Sequence, residues 1–177
     1  MSDYNFAPTE LSKSNLVREG ISESTIFVTG NTVIDALLSV SSKDLAFEDK
    51  ALDGIDFDNN KVILLTTHRR ENLDNGMDDI FSAINEITQL DDSVRVVFPI
   101  HLNPAVRHLA HNILDGNKNV TILEPLSYVD LVKVIKKSYM VLTDSGGIQE
   151  EAPAFAKPVL VLRRTTERPE GVKAGTA

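Results

Sequence analysis

From Lys61 onward, short uninterrupted apolar runs alternate with longer stretches whose apolar residues recur three and four apart. The runs are Lys61–Thr66, Val94–Pro99, Val120–Leu123, Met140–Leu142 and Pro158–Leu162. Runs of this kind predict strands buried on both faces of a parallel sheet. The stretches between them predict helices. One carries Met77, Ile80, Phe81, Ile84 and Ile87 at helical spacing, after a polar loop. A second is capped by Asn103-Pro104, buries Val106, Leu109, Ala110, Ile113 and Leu114, and ends at Gly116. Ser127 with Asp130 makes a near capping box for a third, which carries Leu131, Val132 and Ile135. A fourth opens at Ile148, after a turn on Ser145-Gly146-Gly147.

Before Lys61 the pattern is weaker. Ala7-Pro8-Thr9 predicts a helix start, with Leu11, Leu16 and Val17 facing inward and Gly20 as the stop. Ile26–Val28 predicts a short strand, and Val33–Leu38 a helix after the turn at Gly30-Asn31-Thr32. From Ser39 to Asn60 the chain is polar and turn-rich, a candidate linker.

Five strands alternating with helices of about three turns imply right-handed βαβ crossovers and an α/β fold, a Rossmann-like doubly wound parallel sheet. Such sheets bind ligands beyond the carboxyl ends of their strands. The polar loops Thr66–Asn72, Pro99–Asn103, Glu124–Leu126, Asp144–Gly147 and Arg163–Pro169 all leave the strands at that edge. Two of them bear histidine and two bear arginine, so a functional site is expected there. Within Val141–Ala156, the glycine pair at a strand-to-helix turn allows close backbone approach by a ligand, and the helix start offers unpaired N–H groups. That combination is a phosphate seat. Taken alone, the same residues also suit a tight turn with a helix cap.

Composition narrows the function classes. The chain has 177 residues, no cysteine and a formal net charge of −8. Disulfide scaffolds and thiolate metal sites are excluded, and a reducing cytoplasm fits. The acidic balance argues against nucleic acid or an anionic membrane as partner. No apolar run is long enough to span a bilayer, and no signal-peptide pattern opens the chain. Charge is uneven: residues 157–177 hold five bases against two acids, just after the proposed phosphate seat. Neither Gly-x-Gly-x-x-Gly nor Gly-x4-Gly-Lys-Ser/Thr occurs, and Ser145 lacks the Gly-x-Ser-x-Gly elbow. His108 and His111 lie beside a helix's apolar stripe, as surface residues, and the four histidines show no metal-site spacing.

The motifs together resemble one family. They are Phe6-Ala7-Pro8-Thr9, Val28–Ala36, Thr67-His68-Arg69-Arg70-Glu71-Asn72, Pro99–Pro104, Thr143–Pro153 and Thr166-Glu167-Arg168-Pro169-Glu170. In this order they resemble the non-hydrolysing UDP-N-acetylglucosamine 2-epimerases over essentially the whole chain. The resemblance implies half of a GT-B architecture. Residues 1–45 would be the end of the N-terminal domain and hinge, 46–60 a linker, and 61–177 a nucleotide-binding domain incomplete at its C-terminus.

It also implies roles. Ser145, Gly146 and Gly147 would hold the diphosphate of a UDP-sugar, Glu151 the ribose hydroxyls, and Arg168 a phosphate oxygen. His68 would be catalytic, stabilising the leaving diphosphate as UDP is eliminated and re-added with C2 inverted. No cofactor or metal is implied. Arg69 and His101 would adjoin a second, regulatory nucleotide-sugar site. Leu126 and Leu131 stand where some members place Gln and an aromatic near the uracil, so base recognition would rest more on the Glu124-Pro125-Leu126 backbone. The carboxylates that act at C2 would belong to an N-terminal domain outside this chain. The chain alone is therefore expected to lack epimerase activity and to bind UDP weakly, with the parent enzyme a homodimer. A GT-B UDP-sugar glycosyltransferase and a non-catalytic nucleotide-binding or structural module are the competing readings.

Overall fold

The computed structural model describes residues 2–177. Chain contacts divide it into two compact units, one ending at Ser39 and one spanning Val40–Ala177.

In the first unit, β1 (Asn5–Ala7) and β2 (Ile26–Val28) pair in parallel, with Phe6 opposite Phe27. The helix α1 (Glu10–Arg18) connects them, and its cap is as the sequence implies: Thr9 Oγ1 accepts from Ser12 N–H at 3.1 Å. Gly20 follows in the left-handed conformation, φ 87°. The inward face expected of α1 is absent. Leu11 and Val17 are exposed, Leu16 is only half-buried, and no residue of the helix is buried. Two strands of three residues make too small a sheet to cover a helix. The helix α2 (Val33–Ser41) follows β2.

The second unit holds the five expected strands: β3 (Lys61–Thr66), β4 (Val94–Pro99), β5 (Val120–Leu123), β6 (Met140–Thr143) and β7 (Val159–Val161). All neighbours are parallel, in the order β5-β4-β3-β6-β7. The chain builds outward from β3 to β5, returns to β6 on the other side, and ends at β7. The order therefore reverses between β3 and β6, the place where such sheets open a ligand crevice.

Successive residues of β3 feed opposite layers, as the uninterrupted apolar run demands. Ile63 and Leu65 join Met77, Phe81, Phe98, Val106 and Leu114, packed with α4 (Met77–Leu90) and α5 (Pro104–Leu114). Val62 and Leu64 join Val134, Ile135 and Ala152, packed with α6 (Tyr128–Lys137). At the centre of the first layer the Phe81 and Phe98 rings lie 5.5 Å apart.

The turn-rich stretch before β3 also contributes to the second layer. Its short 3-10 helix, Lys50–Gly54, buries Leu52, with Phe47, Ile55 and Phe57 packed nearby. Buried Asp130 at the start of α6 holds this segment, accepting from the N–H groups of Glu48 and Asp49 at 3.0 and 2.9 Å. Several elements lie outside the sequence expectation. A six-residue helix α3 (Arg70–Asn75) interrupts the expected polar loop, and α7 (Gly146–Glu151) opens two residues before Ile148. A last helix, α8, spans Pro169–Ala174.

Candidate functional site

The site forms where β3 and β6 end side by side. Thr66 pairs with Thr143 in register, and their hydroxyls are 2.6 Å apart. One residue beyond each strand, the loops are joined through Asp144, whose side chain has no solvent access. Its Oδ2 accepts from Thr67 Oγ1, His68 N–H, Arg69 N–H and Asn72 Nδ2, each at 2.9 Å. Its Oδ1 faces His68 Nδ1 at 3.2 Å. Burial pushes the Asp144 carboxyl up, but the His68 ring and the N–H groups of Arg69 and His68 outweigh it, leaving the pKa at about 2. A buried carboxylate is tolerated when donors compensate the lost water. Asp144 therefore shapes the whole His68 loop. Asn72 extends the same joint, donating also to the Leu162 carbonyl at 3.0 Å beyond β7.

His68 and His101, from the loops after β3 and β4, stack with ring centroids 5.5 Å apart and planes 24° apart. They line a cleft of about 300 Å³ with Thr66, Thr67, Pro99, Leu102, Pro125, Leu126, Leu131 and Ile148. Leu126 and Leu131 thus reach the same cleft as His68, forming an apolar wall on its α6 side. His108 and His111 are exposed on α5, far from this role, as expected.

The glycine turn lies next to the Asp144 joint. Gly146 and Gly147 form the first turn of α7, with Ser145 at the N-cap and no side-chain cap bond. Neither glycine needs a positive φ. Gly146 is instead closely approached: a Cβ there would stand 2.6 Å from Glu167 Oε1. Glu167 pairs with Arg69 at 3.3 Å and with Arg163, which also binds Glu71 at 2.6 Å. Its own backbone N–H and these guanidinium groups hold the Glu167 carboxyl below its ordinary value. A carboxylate thus lies against the glycine turn.

Arg168 does not stand free beside the turn. Its guanidinium pairs with Glu150, and its backbone N–H bonds Thr166 Oγ1 at 3.0 Å. Thr166 in turn donates to the buried Gln149 at 2.7 Å, which ties the 166–168 loop to α7. Arg69 Nε and Gln149 Nε2 are buried donors with no acceptor among the described residues. Glu151 is half-buried on the next turn of α7. Burial first, and the Glu150 charge second, push its carboxyl up; its own charge acts on Tyr128 in the same direction.

The structure therefore brings His68, His101, Leu126 and Leu131 to one cleft, and Ser145, Gly146 and Arg69 to the adjoining loops. Asp144, Gln149 and Glu167 were not singled out from sequence. Asp144 had a visible signal, as a carboxylate at a strand's carboxyl end beside a switch point. Glu167 had only its spacing of four from Arg163 on the same loop, because Arg69 and Gly146 lie on other elements.

Comparison with known proteins follows the same lines. A family profile described as UDP-N-acetylglucosamine 2-epimerase matches residues 1–177. The UDP-N-acetylglucosamine 2-epimerase of Bacillus subtilis (strain 168) is 50% identical over 176 residues, covering 99% of this chain and 45% of that protein. Among solved structures, the UDP-GlcNAc 2-epimerase of Neisseria meningitidis bound to UDP-GlcNAc superposes with a TM-score of 0.91 at 47% identity, covering 98% of this chain and 48% of that one. The Methanocaldococcus jannaschii enzyme in complex with UDP-GlcNAc and UDP gives 0.79 at 38% identity, over 97% and 48% of the two chains. The chain spans about half the length of these relatives. With matching motifs, fold and full-length coverage of this sequence, the chain belongs to the UDP-N-acetylglucosamine 2-epimerase family.

Proposed function

We propose that this chain is the UDP-binding half of a non-hydrolysing UDP-N-acetylglucosamine 2-epimerase, one of the two facing domains of a GT-B architecture. The parent enzyme would be a cytoplasmic homodimer. It interconverts UDP-GlcNAc and UDP-ManNAc for cell-envelope polysaccharide synthesis. The observation that carries the reading is the joint at Asp144, which sets a cleft histidine beside a glycine-opened helix at the switch point.

The diphosphate takes the position of the Glu167 carboxylate at Gly146, reached by the first N–H groups of α7 and the Ser145 hydroxyl. Arg168 leaves Glu150 to pair with it. Glu151 accepts the ribose hydroxyls, and its raised pKa marks a carboxyl that gains from two such donors. The uracil lies along Leu126 and Leu131. Across from the phosphates, His68 stabilises charge as the C1–O bond to UDP breaks. Carboxylates outside this chain remove and return the C2 proton. Arg69 and His101 adjoin a second nucleotide-sugar position, one beside His68 in sequence and the other stacked on its ring.

Calorimetry with UDP and solvent-deuterium exchange at C2 of UDP-GlcNAc test this together. The 177-residue chain should bind UDP weakly and exchange nothing, whereas the longer parent should exchange and lose that activity with His68→Ala. C2 exchange by the chain alone would overturn the division of labour.

A further inference from the structure

The two stacked histidines of the cleft are both anchored through Nδ1, but in opposite hydrogen-bonding roles. His68 Nδ1 faces a carboxylate oxygen of Asp144 at 3.2 Å. An oxygen that already accepts nothing but donors requires a proton on that nitrogen. His101 Nδ1 instead accepts the backbone N–H of Asn103 at 3.1 Å, so it carries no proton and Nε2 does. The partner of one ring nitrogen sets what the other can do. With Nδ1 committed in each ring, Nε2 is the nitrogen left for a ligand in both.

We infer that Asp144 and the Asn103 N–H hold His68 and His101 in opposite tautomers, making His68 Nε2 the proton-exchanging atom of the cleft and His101 Nε2–H a fixed donor. Asp144 is then a positioning residue acting through His68, and it acts on more than the ring. The same carboxylate binds the His68 and Arg69 N–H groups, so ring orientation and loop position are set by one group. Asp144 comes from the loop after β6, across the switch point, and His101 from the loop after β4. The remaining cleft residues, from Thr66 to Ile148, carry no charge. The identity of the ligand that meets the two Nε2 atoms, an anionic diphosphate, rests on the proposed function; the tautomers do not.

Long-range proton–nitrogen spectra of the histidine-labelled 177-residue chain in alkaline buffer test the inference, with His68→Gln and His101→Gln as assignment controls. The expected result is a protonated Nδ1 and bare Nε2 for His68, and the reverse for His101. The same tautomer in both rings would overturn it. In Asp144→Asn, His68 should lose its Nδ1–H preference while His101 keeps its own; an unchanged His68 would remove Asp144 from the role. Should that variant fail to fold, the wild-type spectrum still decides. Added UDP should move His68 Nε2 toward the protonated position and leave His68 Nδ1 in place. Binding seen by calorimetry without that movement overturns the exchange role, whereas absent binding overturns the UDP reading and leaves the tautomers to the spectra.

Discussion

Asp144 is ionised with its side chain closed to solvent, which makes its stability contribution depend on pH. Its folded pKa of about 2 lies below the ordinary carboxylate value. The contribution is therefore fully present above the unfolded pKa, about 3.9, and is lost as pH falls through about 2. Its size is on the order of 2 kcal/mol. Urea unfolding at mildly acidic and strongly acidic pH should reveal a slope that Asp144→Asn largely removes. The same variant should cost about 3 kcal/mol at neutral pH, because its amide NH2 would face groups that are all donors. Gly146 offers a contrast between stability and binding. In Gly146→Ala the new methyl meets only the mobile end of Glu167. Thermal unfolding should move by less than about 1 kcal/mol, since alanine suits a helix better than glycine. Calorimetry of the same protein should show UDP affinity at least about tenfold weaker, as the methyl fills the proposed phosphate position.

At the scale of elements, the segment before β3 behaves as part of the second unit. Asp130 anchors it by two backbone N–H groups, and Leu52 is buried beneath it. Asp130→Ala leaves those donors unpaired and should cost about 2–3 kcal/mol, with protease cleavage appearing first between Leu45 and Gly54. The strands from β3 to β7 were legible because a doubly buried strand writes itself as a continuous apolar run. The cap residues Thr9, Asn103 and Ser127 were legible too, since a capping bond spans only two or three positions. The helix α3 was not, because six mostly polar residues show no apolar period. The strand β1 was hidden by its brevity and by Pro8 directly after it. For α7 the sequence misplaced the start, reading the glycines as a turn when their backbone is already helical.

Over the whole molecule, the site depends on the reversal of strand order between β3 and β6. Loops separated by some seventy residues in the chain meet at Asp144, and a ligand bridging them should stabilise the sheet that joins them. UDP at a hundredfold excess over its Kd is expected to add about 2.7 kcal/mol to unfolding, read as a raised thermal midpoint that Gly146→Ala cuts to about half or less at the same UDP concentration. No helix among the described residues is long and apolar enough to cross a membrane.

The amino-acid sequence by itself determined the strands of the parallel sheet, the edge at which polar loops gather, and the residue types offered there. Those properties follow from periodicity and from neighbours within a helical turn. Only the tertiary structure decided that Asp144 unites the loops, that Glu167 lies against Gly146, that Arg168 pairs with Glu150, and that His68 stacks on His101. Each of these contacts joins separate loops or elements, and strand order alone brings most of them into register.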